Sequence, residues 1–344
     1  MENIVRLTQE KLRQITNFRQ GETKFGELIT LIPENSSISD FLQKTTAKFV
    51  LFGIPEDIGV KANFGKTGTS STYPNALRSL VNIQDNSLTK ANDLLVLGHI
   101  NTENYQEKAQ NLNPKNSEEL QQLYQIVTQI DKDVSHLVSI LVKNGKIPIA
   151  IGGGHNNAYG LIKGTALGKA KAINTVNFDA HTDFRDLEGR HSGNGFSYAY
   201  NQGFLNRYFI FGLHENYTSK NIFQRIKQTN GKVQYNTYEQ IAIRREISFF
   251  NELKRALEFI ETSHFGIEID LDAVENVLSS AITPSGFSVE KLRRFLSFFA
   301  SNPKSSYLHI CEGVPDLSDE RHSNQIGKLI AYLVTDFIKA KEKE

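Results

Sequence analysis

What the chain lacks sets its first limits. Among 344 residues there is one cysteine, Cys311, so no internal disulfide can form and a reducing compartment fits best. Methionine occurs only at position 1. Neither sign of charge is in excess, because 39 Lys and Arg face 38 Asp and Glu. A protein built to hold nucleic acid or an acidic membrane surface carries a basic surplus, so both roles are disfavoured. No apolar run approaches the roughly 20 residues of a membrane-spanning helix. The first residues, MENIVRLTQEKLRQ, mix charge with apolar side chains where a secretory signal needs an apolar block, so a cytoplasmic location is expected. Internal repeats are absent too, which excludes solenoids and propellers.

What is present suits a large α/β domain. Hydrophobic residues make up 39% of the chain and cluster in short runs. The runs at 48–53 (KFVLFG), 94–98 (LLVLG), 147–151 (IPIAI), 173–178 (INTVNF), 208–212 (YFIFG), 232–236 (KVQYN), 265–269 (FGIEI) and 306–310 (SYLHI) read as buried parallel strands. Between them, apolar residues three and four apart predict helices over 117–143, 239–262, 289–300 and 323–339. Strand and helix in alternation predict a doubly wound α/β sandwich with a mainly parallel sheet. Residues 1–45 are more polar and are expected to form an extension packed on the core or on a partner subunit. No linker divides the remainder, so 46–344 is expected to be one catalytic domain.

In such folds chemistry gathers at the carboxyl ends of strands. There the chain repeatedly places metal-type ligands: His155 after 147–151; Asp179, His181 and Asp183 after 173–178; Asp270 and Asp272 after 265–269; Glu312 after 306–310. Alternate residues of an extended segment share a face, so the Asp179, His181 and Asp183 side chains point together, as do those of Asp270 and Asp272. A single Asp at a strand end is usually a turn former, and a lone His is usually a hydrogen-bonded core residue. Segments of this kind on three different strands outweigh that reading. Four carboxylates clustered with two imidazoles balance two divalent cations, and carboxylate-rich ligation suits Mn²⁺ better than Zn²⁺. Two such ions can share a water and lower its pKa toward neutrality.

The segments GGGHNNAYG from Gly152, NFDAHTDFR from Asn177, EIDLDAV from Glu268 and CEGVP from Cys311 resemble, in order and spacing, the signatures of the arginase-like ureohydrolase superfamily. That superfamily contains arginases, agmatinases, guanidinobutyrases and formimidoylglutamases. The resemblance spans most of the chain, about 48 to 330. It implies a three-layer α/β/α sandwich with a mainly parallel central sheet and two Mn²⁺ per subunit. One ion would be held by His155, Asp179, Asp183 and Asp270, the other by His181, Asp179, Asp270 and Asp272, with Asp179 and Asp270 bridging. It further implies attack by a metal-bridging hydroxide, with Asp183 managing the proton and Glu312 receiving a cationic amidine or guanidine group.

The rim carries the substrate signal. By the same resemblance, Ser192 and Asn194 stand where arginases contact the amino-acid end of the substrate. Arg185 stands where arginases have Asn and is similar to the Arg of formimidoylglutamases, where it would hold a carboxylate in a charge-assisted pair. A salt bridge to Asp186 or Glu188 accounts for Arg185 equally well. Arg190 would add to the same positive field. Gly154 before His155 is likewise similar to formimidoylglutamases. Phe196 replaces the His thought to shuttle protons in arginases, and His191 reads as a solvated loop residue. The segment SSAITPSGF, 279–287, differs from the usual Gly, Thr, Pro loop. GVKANFGKT, from Gly59, has one residue more between its glycines than a phosphate-binding loop and reads as a loop near the site entrance.

The leading expectation is therefore a binuclear manganese hydrolase of linear amidine C–N bonds, converting N-formimidoyl-L-glutamate and water to L-glutamate and formamide. The rivals are an arginase or another guanidine hydrolase and a non-catalytic metal-bound scaffold. The expected partner is the small-molecule substrate, with homo-oligomerisation left open.

Overall fold

Each apolar run becomes a strand, and one further strand precedes them. The structure, a computed structural model, describes residues 3–342. Its strands are β1 (Ile4–Arg6), β2 (Phe49–Gly53), β3 (Leu94–Ile100), β4 (Ile147–Ile151), β5 (Ile173–Phe178), β6 (Leu205–Leu213), β7 (Val233–Thr237), β8 (Phe265–Asp270) and β9 (Ser305–Cys311). They form a single sheet in the order β1-β3-β2-β4-β9-β8-β5-β6-β7. All pairs are parallel except β1 with β3.

Two cores flank the sheet because alternate strand residues face opposite sides. On one side Ile151, Phe178, Phe211, Ile269 and Ile310 pack with Leu77, Phe295 and Val334 from helices Thr72–Leu80, Val289–Ala300 and Glu320–Lys341. On the other, Val50, Phe52, Ala150 and Tyr208 pack with Val134, Ile162 and Ala199 from helices Ser117–Lys143, Ala158–Lys169 and Gly195–Asn201. Helix, sheet, helix is thus a three-layer sandwich, and sides buried by both layers explain why the strands read as unbroken apolar runs.

The long helix occupies Ser117–Lys143 as expected, but its cap is Asn116, whose side chain accepts from the N–H groups of Glu118 and Glu119. The stretch 239–262 is not one helix. A π-helical turn, Glu239–Ile243, ends before Arg245, which has φ 56°, and a separate helix runs Phe249–Ile260. The left-handed backbone at Arg245 breaks the helical ladder. Arg244 then turns aside to pair with Glu215 and Glu246, each at 2.7 Å.

Residues 3–45 contribute side chains to both cores. Leu7, Leu12, Phe25 and Ile29 belong to one core and Ile32, Ile38 and Leu42 to the other. Their polar composition reflects helices that bury one thin stripe; Gln9–Ile15 buries only Leu12. β1 lies so close to β3 that a Cβ on Gly98 would sit 2.1 Å from the Val5 carbonyl oxygen, and Gly98 itself has φ 117°. Gly98→Ala should therefore lower stability by about 1–3 kcal/mol and open the first residues to proteolysis. An unchanged urea midpoint and cleavage pattern would contradict this account of the edge.

Candidate metal centre

Four strands that are distant in sequence, β4, β9, β8 and β5, lie side by side, so their carboxyl ends meet. After β4 the chain turns sharply through Gly152 (φ 91°) and Gly153 (φ 75°) to present His155. A Cβ on Gly153 would lie 2.3 Å from Asn157 Nδ2 and 2.9 Å from Glu56 Oε1, which is why glycine is needed there. The Asp179 side chain is anchored from below by Asn177 Nδ2 at 2.7 Å and accepts the His181 N–H at 2.6 Å. Asp270 accepts the Asp272 N–H at 2.9 Å. Asp183 and Glu312 both adopt left-handed backbone, with φ 44° and 61°, a strain that persists only where surrounding contacts impose it.

The ligand atoms fall into two sets. His155 Nδ1 lies 2.8 Å from Asp183 Oδ2, 3.1 Å from Asp270 Oδ2 and 3.3 Å from Asp179 Oδ2. His181 Nδ1 lies 3.0 Å from Asp272 Oδ2 and 3.7 Å from Asp179 Oδ1. Asp179 thus offers one oxygen to each set. Asp270 joins the first set through Oδ2, whereas the second consists of Asp179, His181 and Asp272. Within each set the atoms lie within 4.8 Å of one another, and donors about 2.0–2.2 Å from one ion are at most about 4.4 Å apart.

Several features fit a cation. A single imidazole N–H cannot satisfy three carboxylate oxygens. Burial and neighbouring acids push the carboxyls of Asp183 and Asp270 up. Burial also raises Asp179, but hydrogen bonds with His155 and His181 overcome it and hold that carboxyl below its usual range. Asp272 Oδ1 is buried without a hydrogen-bond partner. Glu312 accepts the His155 N–H at 2.7 Å through Oε1, while its buried Oε2 has no partner. Burial, reinforced by Asp272 and Asp183, lifts the Glu312 carboxyl to about 8, against the hydrogen bond from the His155 N–H.

A cavity of about 520 Å³ opens above these groups, lined by His181, Asp183, Asp270, Asp272 and Glu312 and, at its rim, by Arg185 and Ser192. That size suits a small metabolite. Arg185 donates to Asn63 Oδ1 at 2.7 Å and pairs with Glu188 at 3.2 Å, with half its side chain exposed. Ser192 Oγ accepts from Asn63 Nδ2 at 3.1 Å.

Asn194 is turned away from the cavity. It is buried, accepts from Arg190 Nη1 and donates to the Gly189 carbonyl at 2.7 Å. Arg190 also points inward, paired with buried Asp131 at 2.8 Å between the rings of Tyr159 and Tyr198, so it adds no field at the rim. His191 is not solvated: it is buried, accepts the Gly193 N–H, and burial lowers its pKa to about 4 despite Glu188. Phe196 packs edge-on against the His155 ring at 5.1 Å.

A sequence model described as the arginase family matches residues 47–337. The chain belongs to the arginase family. A formimidoylglutamase of Macrococcus caseolyticus is 25% identical over 297 residues, 83% of each chain. One of Streptococcus pyogenes is 26% identical over 328 residues, 90% of each. Among solved structures, formimidoylglutamase from Bacillus subtilis superposes with a TM-score of 0.74 at 19% identity over 95% of both chains. Trypanosoma cruzi formiminoglutamase with Mn²⁺ does so at 0.69 and 17%, over 93% of this chain and 99% of that one. At those identities the structural likeness establishes an arginase-like fold.

The arginase-family motifs leave some supports unmarked. Glu56, fully buried, accepts from the backbone N–H groups of Ile58, Gly59 and Gly154 and from Asn156 and Asn157 side chains, bracing the His155 turn. Its place just past β2, in the segment GIPED, was the available signal. Asn63 had none beyond lying in GVKANFGKT, which is not all loop: Ile58–Ala62 forms a short helix that ends at Asn63. Because Asp179 offers one oxygen to each set, Asp179→Ala should remove Mn²⁺ from both positions, measured by metal analysis after dialysis. Two ions retained would refute the bridging role.

Proposed function

We propose that this arginase-family chain is a cytoplasmic binuclear manganese hydrolase of linear amidine C–N bonds, acting on N-formimidoyl-L-glutamate to give L-glutamate and formamide. The observation that carries the proposal is the pairing of two donor sets through Asp179 beneath the Glu312 carboxylate, whose Oε2 has no hydrogen-bond partner, with Arg185 at the rim of the same cavity. The formimidoylglutamases among its relatives support the choice of substrate.

Two Mn²⁺ per subunit would be held by His155, Asp179, Asp183 and Asp270 and by His181, Asp179, Asp270 and Asp272. Bound there, they would supply Lewis acidity and a water made acidic enough to react at neutral pH. Glu312, whose burial makes an unneutralised charge costly, receives the amidinium, whose positive charge offsets it. Asp183 stands at the cavity floor, where its carboxylate can accept the proton released by water and deliver it to the departing nitrogen. Arg185 faces a substrate carboxylate, with Asn63 fixing one edge of the guanidinium and Ser192 adjoining. Its contact with Glu188 and a substrate contact are compatible, since a guanidinium carries five N–H donors in a planar fork. A substrate with a cationic α-amino group would meet repulsion there.

With Mn²⁺-loaded protein, formamide should appear from formimidoylglutamate and urea should not appear from arginine; absence of product from every amidine and guanidine offered would sink the enzyme reading. Arg185→Ala removes a charge-assisted bond worth about 1.5–3 kcal/mol, or roughly 10- to 150-fold in KM for the dicarboxylic substrate. KM for a neutral amidine should scarcely move. Equal effects on both substrates would leave Arg185 as a partner of Glu188 only.

A further inference from the structure

Glu268 is the one acidic side chain in the middle of the apolar strand β8, and it is fully buried. A carboxylate there is costly unless its oxygens are satisfied. The register of β8 and β9 pairs Glu268 with His309 and Asp270 with Cys311. Glu268 and Asp270 share a face of the sheet, so Glu268 lies one step beneath a proposed metal ligand. Its Oε1 accepts the Tyr307 hydroxyl at 2.6 Å. Its Oε2 lies 2.6 Å from His309 Nδ1 and 3.6 Å from His155 Nε2.

His155 supplies the other half of the observation. Its Nδ1 faces Asp179, Asp183 and Asp270. Its Nε2, on the opposite side of the ring, is buried and has no hydrogen-bond partner. A neutral imidazole that offers Nδ1 to a cation must carry its proton on Nε2. The carboxylate oxygen facing that nitrogen is Glu268 Oε2, 3.6 Å away. Phe196 packs edge-on against the ring at 5.1 Å and 87°.

We infer that Glu268 is a positioning residue for the first metal set: it accepts the His155 Nε2 proton, fixes the tautomer that exposes Nδ1, and is itself held by Tyr307 and His309. This rests on the binuclear reading above. A carboxylate behind a ligating imidazole orients the ring and raises its basicity. The alternative use of this pocket, a third cation on His155, His309 and Cys311, is disfavoured: burial raises the Cys311 thiol, which hydrogen-bonds the Ile269 carbonyl at 3.5 Å. His155 would also have to serve two ions at once.

The test is a metal-binding measurement, independent of turnover. By equilibrium dialysis with metal analysis, Glu268→Gln should weaken one of two Mn²⁺ ions by roughly 10- to 100-fold and leave the other in place. The electron paramagnetic resonance signature of a coupled Mn²⁺ pair should fade in parallel. In a His155→Ala background, which keeps Asp179, His181 and Asp272, Glu268→Gln should alter the remaining ion by less than about twofold. Wild-type affinity for both ions in Glu268→Gln, or equal weakening in both backgrounds, would overturn the inference while leaving the binuclear reading intact. Wild-type protein that binds no Mn²⁺ would overturn both. If Glu268→Gln does not fold, Tyr307→Phe decides: it keeps the carboxylate and strips one partner, so a smaller loss confined to one ion is expected, and unchanged binding refutes the role.

Discussion

Buried negative charge is the constraint on which the rest of this structure depends. Asp179, Asp183, Asp270, Asp272 and Glu312 meet at the ends of three adjacent strands, β5, β8 and β9, with Glu268 and Glu56 just behind them. Left to themselves these carboxylates would repel each other in a medium that solvates them poorly. Fixed dipoles and imidazoles hold them instead. Backbone N–H groups of His155, His181 and Asp272 each donate to a carboxylate, and Asn177 donates to Asp179. These donors pin individual oxygens, yet they leave the two Nδ1-centred sets with more acceptors than protons, the condition a divalent cation relieves.

The same constraint explains where backbone strain is found. Asp183 and Glu312 are held in left-handed conformations, which directs one carboxylate toward the His155 set and the other over the cavity. Their neighbours leave little slack. A Cβ on Gly154 would lie 2.6 Å from Asn156 Oδ1 and 3.2 Å from Glu312 Oε1, so a larger residue before His155 would disturb the carboxylate proposed to receive substrate. The loop after β5 is stiffened by a different device. Arg190 and Asp131 form a buried pair that also engages Asn194 and the Asn156 carbonyl, coupling the rim to the His155 turn. Arginine and asparagine side chains that look like substrate contacts in the sequence are in this way consumed in shaping the loop.

Much was legible in the chain itself. The eight apolar runs are strands because burial on both faces of a parallel sheet demands uninterrupted hydrophobicity. The ligand segments could be read because period-two alternation at a strand end puts Asp179, His181 and Asp183 on one side. β1 escaped notice since an edge strand of three residues carries no such run. The break at Arg245 was hidden because helical periodicity continues across it while the backbone does not.

The sequence by itself determined the layers, the ligand types and their order along the chain, since these follow from local hydrophobic pattern and side-chain chemistry. Only the tertiary structure decided which ligands meet and which polar groups face the cavity. Strand order brings β4, β9, β8 and β5 together although up to 157 residues separate His155 from its contact Glu312. Rotamer and loop packing, which no spacing rule encodes, turn Arg185 outward to the cavity, Arg190 and Asn194 inward, and set Glu268 behind the buried His155 Nε2, which has no hydrogen-bond partner.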